Sequence, residues 1–319
     1  MEKELYLDPK ELKLFKVKTY VGKTFIYLFI SIMALFILIP FLWMILTSLK
    51  ETYEIIDPNQ FTFFPRRWAW GNYGKLINGV KSIKNGQEYY SFNPMPFGTM
   101  FLNTIVVGFF STAGTVVTTI LAAFAFSRLN FKGREVIFTI LLATMMIPGE
   151  VFVITNYMTL ARMGLVRTPY HIENYIALIL PFITSVFYTF FLRQTFRQIP
   201  NELYLAAKVD GTTDFQYLLK IMIPIASATI ITIIILSMIG TWNAYVWPNF
   251  VTDASHKEQL LVSNGLMVGL SGEMDATGPD SVLNLQMAAS SMVTIPLLIV
   301  FFAFKKHILR GVSRSGIKG

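Results

Sequence analysis

Cysteine is missing altogether from the 319 residues, which excludes disulfides and thiolate metal sites. Histidine is nearly missing: His171, His256 and His307 are the only three, too scattered to suggest a metal motif. Charge is scarce. Asp, Glu, Lys and Arg make up 14% of the chain, against about 25% in soluble domains, so a polar surface cannot cover it. What is abundant is apolar, at 54% hydrophobic. The charges come in bursts separated by long gaps, which is the pattern of a membrane protein. The net charge of +8 raises the possibility of a nucleic-acid partner. The basic residues argue against it, because they flank apolar runs and form no stripe beside stacking aromatics.

A span needs about 20 apolar residues to cross a core of about 30 Å. Six runs qualify: Thr24–Leu49, Phe97–Phe126, Val136–Leu160, Tyr175–Leu192, Ile221–Ile239 and Leu285–Phe304. They are continuous and too long for barrel strands, so the expected fold is all-α with six transmembrane helices. The third run contains Pro148-Gly149-Glu150. Lys and Arg number eighteen in the segment 1–23, the loops 127–135 and 193–220 and the tail, against nine in the three opposite segments. The positive-inside rule therefore places both termini in the cytoplasm and residues 50–96, 161–174 and 240–284 outside. The expected organisation is a cytoplasmic segment 1–23, a membrane domain 24–304 and a cytoplasmic tail 305–319. The first span lacks a small-residue cleavage site and reads as a retained anchor. Gly22-Lys23-Thr24 resembles the end of a phosphate loop, but Val17 holds the place of the first glycine, so no ATPase is expected within this chain.

The informative stretch is the loop Pro200–Pro224, PNELYLAAKVDGTTDFQYLLKIMIP. Pro200 suits a helix start. Glu202 falls in the first turn, where the helix dipole favours it. Ala206 and Ala207 make a side-chain-poor surface. Gly211 suits a left-handed stop, Thr213 with Gln216 a capping box, and Pro224 a kink into the fifth span. The predicted product is a short helix across the membrane face, a turn, and a second helix climbing into the bilayer. The residues leave two readings open: a helix that docks in a cleft of another protein, or an ordinary interfacial link.

This loop resembles the signature loop of ABC importer permeases, which runs EAA, three residues, G, nine residues, I-x-L-P. Ala206, Ala207, Gly211, Ile221 and Pro224 match it. Leu205 stands where the family has glutamate and Ile223 where it has leucine; Glu202 and Asp210 are the nearby carboxylates. The resemblance is to the carbohydrate branch and to maltose-permease G-type subunits. It extends to Asn103-Thr104, to 122–129 (AAFAFSRL), to 145–150 (MMIPGE), to Phe191-Leu192-Arg193-Gln194, to Trp242-Asn243 with Trp247-Pro248, and to the tail 311–319 (GVSRSGIKG). It implies a type I importer permease fold in a bacterial cytoplasmic membrane. The implied partners are a second, similar permease, two ATPase subunits that bind ATP and Mg, and an external solute-binding protein. This subunit is then not an enzyme and holds no cofactor. Glu202, Leu205, Ala206, Ala207, Asp210, Gly211 and Pro224 would couple to the ATPase, and Gly311, Ser313, Gly316 and Gly319 of the tail would reach it. The implied cargo is a carbohydrate, specifically an oligosaccharide.

Candidate residues for a translocation path are Asn103, Glu150, Asn156, Tyr157, Trp242, Asn243 and Gln286. Glu150 is the one carboxylate within a span, and such a group is a functional candidate; it could hold structure, line a path or carry a proton. The polar residues serve equally as interhelical hydrogen-bonders. Trp242, Tyr245 and Trp247 could form an aromatic platform for sugar or an interfacial belt. The rival readings are an ion-coupled secondary transporter working through Glu150, an importer permease for a non-sugar cargo, and a membrane scaffold without a path.

Overall fold

The computed structural model describes residues 9–57, 62–84, 87–271 and 283–313. The chain divides into two compact units, one from Met1–Gly74 with Asp275–Ser291, the other from Lys75–Met274 with Met292–Gly319.

In the first unit, α1 (Pro9–Ser48) carries an apolar stretch from Val17 to Ser48 with none of its most apolar window buried. A helix apolar on all sides and packed on none of them is suited to lipid. Its end is closed by polar contacts around α2 (Tyr53–Ile56) and α3 (Gly71–Asn78). Asn72 donates to the carbonyls of Ser48 and Lys50, each at 2.9 Å. Tyr73 Oη lies 2.9 Å from Ser48 Oγ and 3.0 Å from Ser291 Oγ. Buried Glu54 accepts from the Arg66 N–H at 2.9 Å, and Lys50 Nζ donates to the Thr62 carbonyl while lying over the Trp43 ring. Each buried charge thus has a partner, as low-dielectric burial requires.

The second unit begins with a feature the sequence reading did not include. Strands β1 (Val80–Lys84) and β2 (Gln87–Phe92) pair antiparallel. The fold is mostly helical, with this one two-stranded hairpin added among the described residues. Gly79 enters the hairpin at φ +74°, where a Cβ would sit 2.9 Å from the Phe92 carbonyl oxygen.

The helices of this unit pack around α4 (Phe97–Arg128). Ser111, Thr112, Thr115 and Thr119 are buried on it. Small hydroxyl residues of this kind let membrane helices approach and hydrogen-bond across the gap. α5 (Arg134–Thr144) and α6 (Val151–Arg162) follow, separated by residues 145–150. Then come α7 (His171–Ile179) and α8 (Val186–Gln198), which with a short 3₁₀ turn at Leu180–Phe182 form one path bent by 50°. The bend frees backbone carbonyls, and α4 satisfies them. Thr115 donates to the Phe182 carbonyl and Thr118 to that of Ile183, both at 2.6 Å. Gly114 permits this approach, since a Cβ there would lie 2.9 Å from Ile183 Cγ2.

After the 200–224 loop, α12 (Ser227–Trp242), α13 (Val246–Val251), α14 (Val262–Ser271) and α15 (Leu283–Ser313) complete the chain, with α15 shared between the units. Among the described residues three helices are long and apolar enough to cross a membrane, and the number is five where each of two bent pairs counts as one span. The expected third span, 136–160, is two short helices, and neither half is long enough to cross alone.

Candidate functional site

The 200–224 loop folds into α9 (Asn201–Val209), a turn, α10 (Asp214–Tyr217), a π turn at Leu218–Met222 and α11 (Ile223–Ile225). The left-handed stop expected at Gly211 is present at φ +74°. The Thr212 N–H reaches back to the Ala207 carbonyl at 2.9 Å, the closing bond of a Schellman turn. The capping box is also present: Thr213 Oγ1 accepts from Gln216 N–H at 3.3 Å, and Gln216 Oε1 accepts from Thr213 N–H at 3.2 Å. Between Asp214–Ile225 and α12 the path bends by 79°. The break falls at Ala226, two residues after Pro224.

The surface this loop presents differs from a plain alanine patch. Ala207 is buried, in a core with Phe196, Tyr217 and Met222, so only Ala206 of the pair faces outward. Glu202, Leu205, Ala206 and Val209 follow the i, i+3, i+4, i+7 spacing of one helix face, and all four are exposed. Leu205 is 56% and Val209 89% exposed, and Phe215 lies open beyond the turn. Val209 and Phe215 were absent from the expected set. The signal for Val209 in the sequence is the recurrence of an apolar residue four positions after Leu205; Phe215 carries no such periodic signal.

Three side chains brace the turn. Asp214 Oδ1 accepts from Tyr204 Oη at 2.7 Å and pairs with Lys208 Nζ at 2.7 Å. The Tyr204 and Tyr217 rings meet edge to face, 5.1 Å between centroids. Hydrogen bonds from Lys208 and Tyr204 hold the Asp214 carboxyl below the usual carboxylate range. The same bond from Asp214 holds Lys208 above its ordinary value. A depressed carboxylate supplies stability above its ordinary pKa and loses it as pH falls through the lowered value. The brace is therefore intact at neutral pH and opens only on acidification below that range. Asp214→Asn at pH 7 is expected to speed amide exchange of residues 204–213 about threefold, the modest effect of an exposed pair. Unchanged exchange would show that the brace contributes nothing.

Upstream, Arg128 caps the end of α8 by donating to the carbonyls of Phe196 and Ile199. Arg193 grips both Glu135 oxygens at 2.8 and 2.7 Å and donates to the Phe126 carbonyl at 3.0 Å. Its hydrogen bond and charge, with Arg134 and Arg197 nearby, hold Glu135 below the usual carboxylate range.

Two cavities lie between the helices of the second unit, apart from a shallower hollow of about 360 Å³ at the 130–136 turn that Asn130, Arg134 and Glu135 line. The larger of these two, about 350 Å³, is lined by Ser111, Thr115, Tyr188, Ser237, Thr241 and Trp247 with apolar neighbours. The smaller, about 210 Å³, lies among Thr118, Phe126, Phe138 and Thr189. Thr184 and Ser185 line both. None of the seven path candidates lines either one. Asn103 is buried, donating to the carbonyls of Glu258 and Leu260 and accepting from Tyr175. Trp242 donates to the Val293 carbonyl at 3.2 Å, and exposed Asn243 to that of Ile239 at 3.0 Å. Tyr157 packs against Phe250. Asn156 and Gln286 are half-buried, and Glu150 is exposed at the start of α6. Trp247 is the member of the aromatic trio that reaches a cavity. Gly311 and Ser313 lie in the last turns of α15, whereas Gly316 and Gly319 fall outside the described residues.

Several known proteins are similar to this chain. The arabinooligosaccharides transport system permease protein AraQ of Bacillus subtilis is 29% identical, over 92% of this chain and 94% of its own length. The lactose transport system permease protein LacG of Rhizobium radiobacter is 28% identical, over 91% and 94%. The inner membrane ABC transporter permease protein YcjP of Escherichia coli is 30% identical, over 90% and 94%. A solved bacterial ABC transporter involved in the import of the acidic polysaccharide alginate shares the fold, with a TM-score of 0.70 at 22% identity over 94% of this chain and 98% of that one. Residues 115–314 match the family described as the binding-protein-dependent transport system inner membrane component. The chain belongs to that family.

Proposed function

We propose that this protein is one translocation subunit of an ATP-driven, binding-protein-dependent importer of carbohydrate. The observation that carries the reading is the family match over a loop whose exposed apolar stripe, Leu205, Ala206 and Val209, stands on a braced turn. Large apolar side chains held out in water favour a partner surface. Similar permeases bear the names of arabinooligosaccharide and lactose transport, and one of sn-glycerol-3-phosphate, which supports sugar or a sugar-like cargo.

On this reading the chain crosses the membrane six times, with residues 136–160 as a broken third span and both termini in the cytoplasm. It sits in a bacterial cytoplasmic membrane beside a second permease. Two ATPase subunits bind ATP and Mg and perform the hydrolysis, and an external binding protein delivers the cargo. The stripe on α9 docks on an ATPase, with Glu202 and Asp210 at its margins, and the tail 311–319 supplies a second ATPase contact.

The assembled complex in proteoliposomes tests this. Uptake should require internal ATP and the binding protein. Uptake that persists without ATP and collapses with an ion gradient would favour a secondary transporter. Val209→Asp places a charge in the docking stripe and should reduce co-purification of the ATPase roughly tenfold, the effect of losing about 1.4 kcal/mol at an interface. Undiminished co-purification would remove the stripe from the interface.

A further inference from the structure

We propose that this subunit itself contacts the cargo in the larger cavity, and that the cargo is an uncharged, polyhydroxylated molecule, a neutral sugar. The inference rests on the importer reading and narrows its substrate class. At about 350 Å³ the cavity falls within the roughly 300–1,000 Å³ typical of small-molecule sites. Its walls carry hydroxyls at Ser111, Thr115, Tyr188, Ser237 and Thr241, beside the ring of Trp247.

Ser111 is the telling member. It is 3% exposed, and its Oγ has no hydrogen-bond partner. A serine within a helix ordinarily turns back on the carbonyl four residues before it, and Thr104, Thr118 and Thr189 do so in this chain. A buried hydroxyl without a partner is unfavourable, so one held at a cavity wall is suited to a ligand that brings the partner. Ser237 accepts from Thr112 at 3.1 Å, which leaves its proton to donate. Thr115 gives its proton to the Phe182 carbonyl, which leaves its oxygen to accept. The wall therefore offers both donors and acceptors, as a sugar hydroxyl requires. Trp247 has its N–H committed to the Ala177 carbonyl at 3.1 Å and contributes ring surface for the apolar face of a sugar.

The charge of the cargo follows from what the lining omits. No Asp, Glu, Lys, Arg or His lines either cavity. A uronate or phosphate ester placed there would lose water and find no counter-charge. The second cavity extends the site. Along α4 the lining positions run 107, 111 and 115 in the first and 118, 122 and 126 in the second, steps of three and four that keep to one helix face. Thr184 and Ser185, at the break before α8, join the two. The result is an uncharged track down one side of this subunit.

The test uses the full complex with its binding protein in proteoliposomes. One probe is a mixture of neutral oligosaccharides. The other is a mixture of uronic-acid oligosaccharides with sn-glycerol 3-phosphate. Mass spectrometry reads what enters. The neutral mixture should supply the cargo and the acidic one none. Gly240 lines the larger cavity, and a Cβ there meets nothing within 4 Å, so Gly240→Leu starts its side chain in open space at the cavity wall. It should lower uptake at least roughly tenfold, and Ser111→Ala roughly threefold or more. Wild-type uptake by both variants in assembled complexes overturns the site. Import of the acidic mixture, or of neither mixture by a wild-type complex that hydrolyses ATP with its binding protein, overturns the neutral-sugar assignment and leaves the importer reading standing. A wild-type chain that holds no ATPase overturns the importer reading itself.

Discussion

Replacing Gly211 with valine is expected to lower ATPase attachment and uptake together by roughly fivefold or more, with membrane insertion unchanged. The residue sits at φ +74°, and a β-branched side chain resists that conformation by about 1–2 kcal/mol. Such a change shifts a conformational equilibrium by roughly 5–30-fold. No atom lies within 4 Å of an added Cβ, so the penalty is backbone strain and not a clash. If the turn relaxes, Thr212 leaves the Ala207 carbonyl and Asp214 moves away from Tyr204 and Lys208. The stripe of Leu205, Ala206 and Val209 then loses its fixed angle. Gly211→Asn separates the causes, because asparagine tolerates the left-handed region better than valine does, and it should recover most of the loss. ATPase pull-down and uptake are the measurements. Normal uptake in an inserted Gly211→Val protein would remove the turn from any coupling role.

The loop was legible because its signals are local. Gly211, the Thr213–Gln216 pair and Pro224 each act within a few residues, and each does in the structure what its chemistry dictates. Ala207 was misplaced on the outer surface because which face a short helix buries depends on distant partners, here Phe196 and Met222. The hairpin of β1 and β2 was missed although Asn85-Gly86 stands between the strands, a strong turn signal. Residues 80–92 contain no long apolar run, the pattern that marks the spans. The path candidates are polar or aromatic residues in apolar surroundings. The hydroxyls of the cavities come from Tyr188 and from serines and threonines, which look ordinary within a span. Only the packing reveals that Thr115 and Thr118 answer the broken backbone at Phe182 and Ile183 while Ser111 answers nothing.

Arg193→Ala is expected to lower the thermal midpoint of the protein in detergent by several degrees and to impair uptake. Arg193 is 3% exposed and makes four contacts at once: both oxygens of Glu135, the Phe126 carbonyl, and the Phe138 ring 3.9 Å from its guanidinium carbon. These tie α8 to the end of α4 and the start of α5. Alanine would leave the Phe126 carbonyl without this donor and open a gap beside Phe138. The lost hydrogen bond and packing amount to about 2–3 kcal/mol. The Glu135 side chain is more than half exposed, so water can take over its charge and Glu135→Gln should shift the midpoint far less. Arg193→Lys keeps the charge but not the planar fork and should fall between the two. The pH dependence has a definite sign. Glu135 is held below the usual carboxylate range by its bond to Arg193, so its contribution is present above that range and fades as pH falls through the lowered value. The difference between wild type and Glu135→Gln should accordingly be flat around pH 7 and shrink only in acid. The same strut stands seven residues before Pro200, where α9 starts, next to the Arg128 cap on Phe196 and Ile199. Loosening it should therefore weaken ATPase attachment as well as stability. An Arg193→Ala protein with an unchanged midpoint would show that the strut bears no load, and one with a lowered midpoint but full ATPase retention would confine its role to holding the helices.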